Sequence, residues 1–164
     1  GIEESERVHF FHPSPEFMAR TQAVFEEVRQ QILESSPPVQ VEHIGATSVP
    51  GALTKGDLDL LVRTEKQDFA ETVERLTKLY AIHQPENWSE EFASFKDESH
   101  ADLPVGVQVV AAGLAVDPFV RIRDLLIAQP MLLAELNDLK CSFEGRGMEE
   151  YRLAKSNFFE RLLT

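Results

Sequence analysis

The feature that most restricts what this chain can become is the run Asp57-Leu58-Asp59-Leu60-Leu61-Val62. Two carboxylates stand one residue apart inside a segment otherwise apolar enough to be a buried strand. Along a strand, residues i and i+2 project to the same face. Asp57 and Asp59 are therefore expected to project together, while Leu58, Leu61 and Val62 supply burial. Carboxylates held side by side repel each other and resist desolvation. A cation between them removes that cost, and oxygen donors of this kind suit Mg²⁺ or Mn²⁺. The plainer alternative makes Asp57 a solvated strand start behind Gly56. Asp59, flanked by leucines, resists that reading. The spacing alone means little, since Glu4 and Glu6 repeat it.

The upstream residues add weight. Val39–Ile44 alternates as a strand does, and positions 45–56 form a loop with three glycines and Pro50. At its start stand Gly45, Ala46, Thr47 and Ser48. Glycine lets a backbone approach a phosphate closely. Neighbouring amides and the Thr47 and Ser48 hydroxyls can donate to phosphate oxygens, and Lys55 can add a point charge. A tight turn closed by hydroxyl-to-backbone bonds is the competing explanation. His43 is a candidate ligand or base, against the commoner role of a structural hydrogen bond.

Ser14 as a cap, Pro15 in the first turn and apolar residues at helical spacing predict a helix over 15–34. The second strand is expected over 57–62. Thr64 is a plausible cap for a helix over 65–79. Residues 80–102 are harder to read, with a strand expected near 91–96. The valines of 105–111 predict another strand. Asp117-Pro118 starts a further helix, Pro130 opens one running to about 143, and a last helix carries Tyr151, Phe158 and Leu162. Helices gathered at the chain ends around a small mixed sheet make an α+β domain. One domain over 1–164 is expected, with a core at about 37–112 and C-terminal helices at about 117–164.

A net charge of −12 argues against long DNA or RNA as a partner. It leaves room for a small anionic substrate if cations converge locally or metal ions offset the charge. No apolar run approaches the roughly 20 residues of a membrane helix, and no secretion-signal pattern opens the chain. Cys141 is the only cysteine, which rules out an intrachain disulfide and fits a cytoplasmic location.

Taken together, these residues resemble the signature of nucleotidyltransferases related to DNA polymerase beta. In those enzymes a Gly-Ser or Gly-Gly turn precedes Asp-apolar-Asp by about ten residues. The segment Glu42-His43-Ile44-Gly45-Ala46-Thr47-Ser48-Val49-Pro50-Gly51-Ala52-Leu53-Thr54-Lys55 is more closely similar to the hallmark of the GrpB family within that superfamily. The likeness continues through Phe119-Val120-Arg121-Ile122-Arg123-Asp124-Leu125-Leu126, Gln129-Pro130, Leu139-Lys140, and Tyr151 with Lys155.

The resemblance implies a nucleotidyltransferase-like core that moves a nucleoside monophosphate from an NTP to an unidentified small-molecule or protein acceptor. Asp57 and Asp59 would hold Mg²⁺ (or Mn²⁺), and Gly45, Ala46, Thr47 and Ser48 would cradle phosphates near Lys55. Arg121, Arg123, Tyr151 and Lys155 would line the cleft from the helical side. Competing roles are surface ion pairs with Asp117 or Asp124 for the arginines and core packing for Tyr151. Trp88 would either close over a ligand or pack on the core. The chain departs from the pattern at Ala46, which replaces a serine, and at Asp57, where many members carry an apolar residue. It departs again at Gly106-Val107-Gln108, which replaces a His-x-His pair. Gln108 is neutral where the superfamily places a third carboxylate. Two alternatives follow: a non-catalytic nucleotide- or CoA-related binding module, and a metal-assisted phosphohydrolase.

Overall fold

The structure, a computed structural model, describes residues 1–111 and 118–164. Its described elements are helices α1 (Pro15–Ser35), α2 (Phe69–Thr77), α3 (Pro118–Ala128), α4 (Pro130–Phe143) and α5 (Met148–Leu163), with strands β1 (Val39–Ile44), β2 (Leu58–Thr64), β3 (Ala81–Ile82), β4 (Phe92–Asp97) and β5 (Val105–Ala111). The strands form one mixed sheet in the order β1-β2-β5-β4-β3. Only the central β2–β5 pair is parallel; β1–β2, β4–β5 and β3–β4 are antiparallel. The expected α+β class with a small mixed sheet is the observed one.

The strand period sorts the side chains. Leu58, Leu60 and Val62 of β2 join Val105, Val107 and Val109 of β5 on one face. There α1 and α2 cover them through Val24, Val28, Ile32, Phe69 and Leu76. Burial of this set is the main stabilising contribution, at about 25 cal/mol per Å² of apolar surface. The opposite face carries Ile44, Leu61 and Val110 in a smaller cluster with Phe119 and Val120 of α3. Beyond it, α3, α4 and α5 pack on one another through Leu126, Leu136 and Phe158.

Several local expectations need correction. Thr64 does not cap a helix: it is the last residue of β2, paired with both Val39 and Ala111 and fully enclosed. The strand thus runs Leu58–Thr64, starting one residue later and ending two later than expected. A short 3-10 turn, Lys66–Asp68, then leads into α2, which stops at Thr77. The two-residue edge strand β3 was not anticipated. Phe92 and Phe95, out of phase by one, pack toward opposite faces. Asp117 lies outside the described residues.

The N-terminal residues cross the helical side as a strap. Val8 N–H donates to Arg146 O at 2.9 Å, and Gly145 N–H donates to Val8 O at 2.8 Å. Arg7 Nη1 donates to Gly145 O at 2.7 Å. Phe11 and Thr54 exchange backbone bonds, both at 3.0 Å. The strap therefore links the α4–α5 turn to the loop before β2.

Candidate functional site

A cavity of about 260 Å³ opens between the second face of the sheet and the C-terminal helices. Asp57, at the threshold of β2, and Asp59, its second residue, both line it. So do Gly45, Ala46, Lys55, Gln108, Arg123, Tyr151 and Lys155. Residues scattered over more than a hundred positions of sequence thus meet around one space. His43, Thr47, Ser48 and Arg121 are not part of its lining.

Register explains how Asp59 is held. Its Cα is opposite Ile44 on β1 and Gly106 on β5. Asp59 as a residue is half-buried, but its carboxylate is wedged between two glycines. A Cβ built on Gly45 would stand 2.6 Å from Asp59 Oδ2, and one on Gly106 would stand 2.8 Å from Oδ1. Gly45 also adopts φ +78°, which side-chain-bearing residues avoid. Burial, followed by repulsion from Asp57, pushes the Asp59 carboxyl up to about 7. Lys55, Lys155 and Lys96 oppose that shift. Lys55 Nζ lies 4.0 Å from Asp57 Oδ2.

The turn after β1 is a short 3-10 segment, Ala46–Ser48. Its hydroxyls are already engaged. His43 Nε2 and Thr47 Oγ1 are 2.8 Å apart, and Thr47 is buried. Ser48 Oγ donates to Gly45 O at 2.6 Å. Only Gly45 and Ala46 of this turn face the cavity. His43 stacks on Phe25 at 5.2 Å. Burial, with a contribution from Arg123, lowers its imidazole to about 4 and keeps it neutral.

From the helical side, Tyr151 is buried against Phe10 and Phe143, with ring centroids 5.0 and 6.1 Å away. Burial, then Asp57, raises its phenol. Lys155, one turn on, places Nζ 5.4 Å from the Tyr151 ring centroid. Arg123 donates to His43 O at 3.1 Å and pairs with Asp124 at 3.0 Å and Glu42 at 3.6 Å. It therefore braces α3 on β1 as well as bordering the cavity. Arg121 is exposed. Trp88 packs on Phe95 at 5.2 Å and donates to His83 O, away from the site.

The sequence reading missed Lys140 and Phe10, which also line the cavity. Lys140 is only 4% exposed, and its Nζ donates to Leu53 O at 2.7 Å. Burial, with Lys155 and Lys55, brings its ammonium down to about 8. One available signal was a lysine one helical turn past Leu136 in an apolar row. On β5, Gln108 offers an acceptor, Oε1, that is buried without a hydrogen-bond partner among the described residues.

Comparison with known proteins places these features in context. The family model described as "GrpB protein" matches residues 8–164. A UPF0157 protein of Vibrio cholerae is 34% identical over 154 residues, covering 93% of this chain and 81% of its own. The crystal structure of conserved protein GrpB from Enterococcus faecalis superposes with a TM-score of 0.65 at 16% identity, covering 94% of this chain and 99% of that one. Cid1 poly(U) polymerase, solved with MgGTP bound, superposes with a TM-score of 0.56 at 15% identity, over 77% of this chain and 42% of its own. The last two likenesses are likenesses of fold, and the polymerase is more than twice as long as the part that matches.

Proposed function

Because the chain belongs to the GrpB family and has the fold of polymerase-beta-like nucleotidyltransferases, we propose that it is an Mg²⁺-dependent nucleotidyltransferase acting on a nucleoside triphosphate and a small acceptor. One observation carries this reading: Asp57 and Asp59 meet in the same cavity as Lys55, Lys140 and Lys155.

The donor set fits the ion. Mg²⁺ is commonly held by one or two carboxylates together with substrate phosphates. The wedged Asp59 carboxylate, pushed up by burial and by Asp57, is the kind of group a cation relieves. The unpartnered Gln108 Oε1 is one further hard oxygen. Among the described residues no group of three His, Cys, Asp or Glu side chains converges, so these residues supply two carboxylates. Asp57 and Asp59 would hold Mg²⁺ (or Mn²⁺), which, when bound, neutralises charge building on the triphosphate.

The remaining roles fall to this chain's own groups. Lys55 and Lys155 attract phosphate oxygens as point charges. The Gly45-Ala46 backbone allows their close approach. Tyr151, Phe10 and Phe159 exclude water from the helical side of the cavity. Such a reaction draws on the nucleotide pool of the cytoplasm.

Thermal shift with Mg²⁺ and each NTP, run beside a pyrophosphate assay, tests the reading. Wild type is expected to show a joint metal-and-nucleotide shift and to release pyrophosphate, and Asp59→Ala to lose both. Binding without pyrophosphate release would favour a nucleotide-binding module, a reading that the neutral Gln108 on β5 keeps in view. Release of orthophosphate would point to hydrolysis instead.

A further inference from the structure

The two carboxylates of the cavity are held by different parts of the chain. Asp59 belongs to the β-ladder, opposite Ile44 and Gly106, so the sheet fixes it. Asp57 stands just before β2, outside that ladder. Its place is set by the stretch that leads up to it, and that stretch is fastened almost residue by residue. Leu53 N–H donates to Asn137 Oδ1 at 3.0 Å, and Leu53 O accepts from Lys140 Nζ at 2.7 Å. Thr54 N–H donates to Phe11 O and Phe11 N–H donates to Thr54 O, both at 3.0 Å. Gly56 N–H donates to Oγ1 of the buried Thr54 at 3.0 Å. Leu58 N–H donates to Pro104 O at 2.9 Å. Lys55 and Asp57 stand between these tethered positions.

Phe11 supplies more than its backbone. Its ring packs on Gly56, where a Cβ would stand 3.2 Å from a ring carbon. Gly56 itself adopts φ +98°, a conformation that side-chain-bearing residues avoid. The same ring meets Phe17 of α1 edge-on, with centroids 5.2 Å apart. Phe11 is thus clamped between α1 and the segment carrying Lys55 and Asp57. It is nevertheless 41% exposed and lies outside the cavity lining.

Resting on the nucleotidyltransferase reading, we propose that Phe11 is a positioning residue: by pairing with Thr54 and covering Gly56 it sets where Lys55 and Asp57 stand, which couples the N-terminal strap to the Mg²⁺ and NTP site. Loosening the strap releases Asp57 while Asp59 stays in the sheet, so one carboxylate is left in place where two were. Coupling between two sites is reciprocal. Filling the cavity with metal and nucleotide therefore tightens the strap in turn.

The test is calorimetry of the full chain with the Mg²⁺ complex of a non-hydrolysable NTP. Phe11→Gly is expected to weaken binding about tenfold, within the usual range for coupled sites. Phe11→Leu, which refills the contact with Gly56 and Phe17, is expected to restore most of it. In an Asp57→Asn chain the Phe11→Gly change is expected to lose most of its effect, because the carboxylate it places is gone. A merely structural loss would weaken both backgrounds alike. Equal binding by wild type and Phe11→Gly, or an equal loss in both backgrounds, overturns this inference and leaves the nucleotidyltransferase reading standing. No binding by wild type overturns both. Hydrogen exchange on the unaltered chain supplies a readout free of any variant. The complex is expected to raise protection of the Phe11 and Thr54 amides about tenfold. The His83 amide, which donates to Ser94 O beside β3, is expected to stay unchanged. Unchanged protection at Phe11 and Thr54 also overturns the inference.

Discussion

Asp59 couples the protonation of the fold to its proposed ion. Its carboxyl rises from an ordinary 3.8 to about 7, chiefly through burial. The folded state therefore holds that proton more tightly than the unfolded chain does. The stabilisation is complete below about 4 and is lost as pH climbs through about 7. Asp59→Asn is expected to flatten this part of the stability–pH curve and to raise the metal-free melting temperature at pH 8, while abolishing the Mg²⁺-dependent shift. A melting series from pH 5 to pH 8, with and without Mg²⁺, checks both signs. The neighbouring glycines matter for another reason. Gly106 is ordinary extended backbone, but a Cβ there would crowd Asp59 Oδ1 at 2.8 Å. Gly106→Ala is expected to cost roughly 1–3 kcal/mol through overpacking. It should also displace the carboxylate enough to weaken the joint Mg²⁺ and NTP shift, measured by the same melting assay. An unchanged shift would mean that the slot tolerates a methyl group.

At the scale of elements, α4 positions the loop that carries the site. Asn137 accepts from Leu53 N–H and donates to Gly51 O, both at 3.0 Å, and Lys140 one turn on donates to Leu53 O. Asn137→Ala leaves the Leu53 N–H unpaired, while the exposed Gly51 carbonyl can turn to water, and is expected to cost about 1–3 kcal/mol in urea unfolding, with weaker nucleotide binding because Lys55 and Asp57 follow that loop. These contacts also mark where the sequence stops being informative. The start of α1 was legible because Ser14 and Pro15 are local signals, and Ser14 Oγ does accept from Phe17 N–H at 3.1 Å. Strand β5 was legible because its valines are strong strand formers. Thr64 misled because a threonine before acidic and polar residues has the local chemistry of a cap, whereas pairing with two neighbouring strands decided its place. Strand β3 was illegible because Ala81 and Ile82 are both exposed and leave no pattern. The acidic pair and the glycine turn could be found because they lie in one short segment. Phe10 could not, because the packing of distant segments is what makes it part of the cavity, and Lys140 left only a local trace, a lysine one turn past Leu136 in an apolar row.

For the molecule as a whole, the strap joins segments remote in sequence. His9 sits between Glu144 Oε2 at 2.6 Å and Glu4 Oε1 at 2.7 Å, while Phe10 N–H donates to Glu144 Oε1 at 2.8 Å. The bond to Glu144, then the bond to Glu4, raises the imidazole from its ordinary 6.5. The Phe10 amide and His9 lower Glu144 from 4.5. The raised group contributes below 6.5 and is lost as pH rises through its folded value. The lowered group contributes above 4.5 and is lost as pH falls. The strap is thus expected to hold best between those limits, and more weakly at high salt because the groups are exposed. Hydrogen exchange at the Val8 and Gly145 amides, followed across pH with intrinsic rates removed, should show protection falling on the alkaline side, and His9→Ala should erase that fall. The same interlocking bears on how the polypeptide comes to life on the ribosome. The wall of the cavity needs both Phe10 and Lys155, so a nascent stretch that stops short of α5 lacks part of that wall. Asp57 and Asp59 are made well before α5 and must wait, unsheltered, until that helix leaves the exit tunnel.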